Sequence, residues 1–83
     1  MIKILFFAQL RDYANTDFLE MPIGDMQVVR DLLEGLRSHA PAELIEALSD
    51  ESALVSINQS YAGWDAKLED GAEVGILPPV SGG

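Results

Sequence analysis

The sequence contains no cysteine. Disulfides, thiolate metal sites, thiol nucleophiles and persulfides carried on a side chain are therefore excluded. Cations are scarce: five Lys and Arg stand against fourteen Asp and Glu, for a formal net charge of −9. A surface of that sign repels phosphate backbones, so nucleic acid is not an expected partner. It suits a basic protein partner through steering of encounter, and it equally suits solubility alone. No apolar run approaches the roughly 20 residues of a membrane span. Asp12 and Asp17 break up the N-terminal stretch, which does not resemble a secretory signal. The expectation is a cytoplasmic protein with no membrane partner.

Active-site chemistry is also missing. The single histidine, His39, stands near an expected helix end, where the helix dipole favours it, and no acid–base partner is evident. The acidic residues are scattered singly, without calcium-loop spacing, so no metal site is expected. The serines lack a triad context. Gly24, Gly35, Gly63, Gly71 and Gly75 are isolated and form no phosphate loop. The chain is not expected to be an enzyme on its own.

What is present is a core. Hydrophobic residues make up 48% of the 83 residues, enough for one small domain over 1–83 with a tail at 78–83. "IKILFFA" predicts a strand, with Ile2, Ile4 and Phe6 on one face and Lys3, Leu5 and Phe7 on the other. "QLRDYAN" fits a single helical turn or loop carrying Leu10 and Tyr13. "TDFLEM" predicts a second strand, ended by Pro22 and Gly24. "DMQVVRDLLEGLRSHA" predicts the main helix, capped by Asp25, with a stripe of Val29, Leu32, Leu33 and Leu36. Pro41 ends it and sits near the first position of a short second helix over "PAELIEALSD". "ALVSINQ" predicts a third strand with a turn at Asn58-Gln59. "SYAGWDAKL" looks irregular, with at most a short edge strand, and "AEVGILPP" predicts the last strand. The class is α+β: a mixed sheet of four to five strands with the main helix across one face. The first and last strands are expected to lie parallel at its centre. Phe7 and Leu77 then share the face opposite the helix, forming an apolar patch with Leu5 and Gly75. Ordinary packing would account for these residues as well.

The sequence ends "PPVSGG". Pro78 and Pro79 stop the strand, since proline donates nothing to a ladder. Gly82 and Gly83 follow, without a Cβ, and would pass through a slot too narrow for other residues. Two readings stand: a frayed terminus, or a flexible arm whose reactive group is its own carboxylate. That carboxylate could be adenylated and then converted to a thiocarboxylate, placing sulfur on the main chain of a protein without cysteine.

These features together resemble a known family, the small subunit of molybdopterin synthase, a ubiquitin-like β-grasp sulfur carrier. The resemblance spans the chain: "MIKILFFAQLRD" at the start, "INQ" at Ile57 to Gln59, "LEDGAEVGILPPV" at Leu68 to Val80, and the terminal "SGG". It implies that no cofactor is bound permanently and that a ubiquitin-activating-type adenylyltransferase uses ATP to activate Gly83. A sulfur donor system would then form the thiocarboxylate at Gly83. The tail, with Ser81 and Gly82, would enter the large subunit of the synthase and give sulfur to a cyclic pyranopterin precursor, building a dithiolene. The resemblance also assigns Phe7, Arg11, Tyr61 and Leu77 to the partner-binding surface. Leu77 stands where the family often has an aromatic residue, and Tyr61 where it often has an aliphatic one. A thiamine-pathway sulfur carrier, a ubiquitin-like modifier of lysines and a plain interaction domain remain as alternatives.

Overall fold

A computed structural model of the chain describes residues 1–79. Alternation of apolar side chains builds the centre of the molecule. Strand β1 (Ile2–Phe6) runs parallel to β5 (Glu73–Leu77), with Ile4 opposite Val74 and Phe6 opposite Ile76. β2 (Phe18–Met21) pairs antiparallel with the outer side of β1, and β3 (Leu54–Ile57) pairs antiparallel with β5. β4 (Ser60–Ala62) closes the other edge, giving the order β2-β1-β5-β3-β4. β3 and β4 are joined by Asn58 and Gln59 with φ of 50° and 73°. Two successive positive φ values match the type I′ hairpin turn, whose twist suits the flanking strands.

Three short helices cover one face of this sheet. They are α1 (Gln9–Ala14), α2 (Leu32–Leu36) and α3 (Ala42–Leu48). Leu10, Leu32, Leu36, Leu44 and Leu48 join Ile2, Ile4, Phe6, Val55, Val74 and Ile76 in one buried cluster. Each such side chain contributes roughly 1.5–3 kcal/mol by leaving water. Pro41 is the N-cap of α3 and Ala42 its first residue, one position from the expected arrangement.

The main helix is much shorter than the predicted span from Asp25 to Ala40, and Asp25 does not cap it. The helical segment begins with a 3₁₀ turn at Val29–Asp31 and continues as α2. The reason lies in long-range backbone pairing. The Val29 N–H donates to the Ala66 carbonyl at 3.0 Å, and the Arg30 N–H to the Trp64 carbonyl at 2.7 Å. The Leu68 N–H donates to Gln27, and Val28 bridges Lys67. These bonds hold Gln27 and Val28 out of helical geometry, and β-branched Val28 and Val29 yield readily. Asp31 supplies the cap, its carboxylate accepting from the N–H groups of Gln27 at 2.8 Å and Val28 at 3.1 Å. Past the other end of α2, His39 Nδ1–H donates to the Gly35 carbonyl at 3.1 Å.

The stretch expected to be irregular also serves the core. Trp64 is buried, and its indole N–H donates to the Ala53 carbonyl at 3.0 Å. Leu68 and Ala72 are buried with it. Among the described residues no helix is long and apolar enough to cross a membrane.

Candidate functional site

The face of the sheet turned away from the helices carries the other half of each alternation. Register places Phe18, Leu5, Gly75, Ser56 and Tyr61 in one row across all five strands. Gly75 is its low point. A Cβ there would lie 2.6 Å from Ser56 Oγ and 3.3 Å from Phe7 Cε2. Glycine is thus what lets the Phe7 ring and the Ser56 hydroxyl meet over the centre of the sheet. At one end of the row, Lys3 Nζ stands 4.7 Å from the centroid of the Phe18 ring, a cation–π contact at an exposed site.

At the opposite end of the face lies a shallow concavity of about 220 Å³, lined by Phe7, Ser56, Gln59, Tyr61 and Leu77. Phe7 is 42% exposed and Tyr61 78%, while Leu77 is half-buried. Large apolar and aromatic groups left open to water around one hollow mark an interaction surface more than a core. Among the described residues no Asp, Glu, Lys, Arg or His lines it, so these side chains offer contact and not acid–base chemistry. β5 ends at Leu77, on the rim, and Pro78 and Pro79 continue from there.

The structure therefore brings Phe7, Tyr61 and Leu77 together. Arg11 does not line the hollow; it is exposed on α1, with Nε 3.7 Å from Asp17 Oδ1. Ser81, Gly82 and Gly83 lie outside the described residues. Sequence reasoning missed Ser56 and Gln59. The only pointer to them was the turn at Asn58-Gln59, which folds Ser56 and Tyr61 into register.

Charge perturbation is concentrated elsewhere. Glu51 is held below the usual carboxylate range by its hydrogen bonds from Arg30, at 2.6 and 3.0 Å. Asp31 is lowered by the two backbone N–H groups it caps, Asp50 by Ser52, and Asp70 by the N-terminal ammonium 2.7 Å away. All four are loop or helix-end groups with structural partners. Among the described residues no group of three or more His, Asp or Glu is arranged to hold a metal ion.

Comparison with known proteins gives consistent matches over the whole chain. The model of the ThiS family matches residues 4–83. The molybdopterin synthase sulfur carrier subunit of Escherichia coli is 42% identical, with both chains covered in full. The protein of the same name from Chlamydomonas reinhardtii is 34% identical over 99% of this chain and 98% of its own. The solution structure of small archaeal modifier protein 1 from Methanosarcina acetivorans superposes with a TM-score of 0.73 at 33% identity, covering 99% of this chain and 95% of that one.

Proposed function

The chain belongs to the ThiS family, and we propose on that basis that it is the sulfur carrier subunit of a molybdopterin synthase. The observation that carries the proposal is the end-to-end match to the Escherichia coli sulfur carrier subunit at 42% identity. The reactive group is the Gly83 carboxylate. Its oxygen attacks the α-phosphate of ATP on an adenylyltransferase, releasing pyrophosphate and leaving an acyl-adenylate. A sulfur nucleophile from a donor system attacks the acyl carbon and expels AMP. The product is a thiocarboxylate, in which one oxygen of Gly83 has been replaced by sulfur. On the large subunit of the synthase, the sulfur passes to the pyranopterin precursor and Gly83 returns to a carboxylate.

The open face supports this role physically. The hollow between Phe7, Tyr61 and Leu77 gives each enzyme in the sequence an apolar surface to grip. It stands where β5 ends, so gripping it brings the following residues to the partner. Phe7 and Tyr61 are the anchors, Leu77 joins them at the rim, and Arg11 adds a charge at the edge of the contact. The carrier supplies no catalytic side chain; the chemistry belongs to its partners.

A second reading is favoured by the likeness to the archaeal modifier protein. The same activated Gly83 would then be attacked by a lysine amine, forming an isopeptide bond. Two measurements together separate the readings. The protein is incubated with ATP, a ubiquitin-activating-type enzyme and sulfide, and its intact mass is measured. The sulfur carrier gains the mass of one oxygen-to-sulfur exchange, mapped to Gly83. No change, with the enzyme active on a control carrier, would refute the proposal. Isopeptide-linked adducts in cells without the thiocarboxylate would favour the modifier.

A further inference from the structure

Phe7 is followed by a turn of unusual backbone geometry. The Phe7 carbonyl accepts a hydrogen bond from the Leu10 N–H at 3.1 Å. Ala8, in the turn so closed, has φ 52° and ψ −128°. Those angles belong to the first central position of a type II′ turn, which glycine normally fills because a Cβ is in steric conflict there. Among the described residues four other non-glycine residues have positive φ: Asn15, Glu51, Asn58 and Gln59. Asn15, at φ 60° and ψ 28°, occupies the ordinary left-handed well that asparagine tolerates. Ala8 lies outside that well.

Strain of this kind survives only where the surroundings over-determine it. Phe6 and Leu10, on either side of the turn, are 2% and 4% exposed and fixed in the core. The Phe7 N–H donates to the Ile76 carbonyl at 3.2 Å, and the Arg11 N–H to the Ala8 carbonyl at 3.1 Å. The turn cannot open without withdrawing core residues, so its cost falls on the stability of the whole domain. A steric wall also makes the backbone well narrow as well as high. Glycine would make the same turn in a lower and broader well.

We infer that Ala8 is a positioning residue: its strained turn confines the exposed Phe7 ring above Gly75 before any partner arrives. Confinement in the free chain lowers the ordering cost of binding. The inference rests on Phe7 being a partner contact, as proposed above.

The test is Ala8→Gly in the full chain, read three ways. Relief of strain raises Tm by about 4 °C or more. Loss of confinement weakens affinity for the large subunit of molybdopterin synthase about three- to tenfold, and it lowers the NMR order parameter of the Phe7 side chain. Stability and affinity thus move in opposite directions, which a merely structural role would not produce. A higher Tm with unchanged affinity would overturn the inference, and so would a Tm that is unchanged or lower. Failure of the wild type to bind the large subunit would refute the proposed partner instead. The Phe7 order parameter then decides alone, and equal values in the two chains would overturn the positioning role.

Discussion

Phe6 and Phe7 are the same residue one position apart, the last of β1 and the first beyond it, yet Phe6 is 2% exposed and Phe7 42%. Hydrophobicity does not separate them; the pleat and the placement of the helices do. Phe6 points with Ile2 and Ile4 into the cluster beneath α1, α2 and α3. Phe7 points to the other side, which no helix among the described residues covers, beside Tyr61 and Leu77. One face of the sheet thus stabilises the fold, while the other remains available for contact. A strand can therefore carry both duties in alternate letters, and single substitutions should separate them.

The largest effect is expected on the inner face. Phe6→Ala should cost about 3–5 kcal/mol, much of the 5–15 kcal/mol that holds a typical domain together. Urea unfolding followed by circular dichroism would show it as a large fall in midpoint; a midpoint near that of the wild type would contradict the assignment of faces. Phe7→Ala should behave in the opposite way. Its stability loss should stay below about 1.5 kcal/mol because the ring is already partly in water. Its affinity for the large subunit should fall by more than about 1 kcal/mol, about fivefold. Titration calorimetry alongside the same unfolding experiment would show whether the two losses separate.

The smallest effect concerns charge on the helical side. The Asp31 carboxyl is depressed because it accepts the Gln27 and Val28 N–H groups in the folded state. A depressed folded value contributes stability that is fully present above the unfolded value, about pH 4. That contribution is lost as pH falls through the depressed value. Asp31→Asn should therefore lower Tm at neutral pH and lose less of it on acidification, with partner affinity unchanged. Thermal melts from neutral to acidic pH check this; parallel Tm curves for the two proteins would contradict it.

The strands were legible in the sequence because their alternation is local. Ile2, Ile4 and Phe6 against Lys3 and Leu5 fixed the faces of β1, with Phe7 just beyond it continuing the alternation, and Val74 and Ile76 against Gly75 and Leu77 fixed those of β5. The parallel pairing of these strands and the shared face of Phe7 and Leu77 followed from that pattern. The start of the helix was not legible. Val29 and Arg30 give their N–H groups to carbonyls of Ala66 and Trp64, partners more than thirty positions away. The burial of Trp64 was hidden for a different reason: its indole N–H bonds the Ala53 carbonyl, which the β3–β4 hairpin brings beside it from eleven positions away. Ser56 and Gln59 reach the hollow through hairpin register, which spacing alone does not reveal. Ala8 looks unremarkable as a letter and is unusual only in its backbone angles.

The most direct test of the division between faces is an amide chemical-shift map of the labelled chain titrated with the large subunit of molybdopterin synthase. The account predicts the strongest perturbations at Phe7, Ser56, Gln59, Tyr61 and Leu77, with the helical side quiet. Perturbations centred instead on Arg37, Ile45 and Glu46, between α2 and α3, would contradict it.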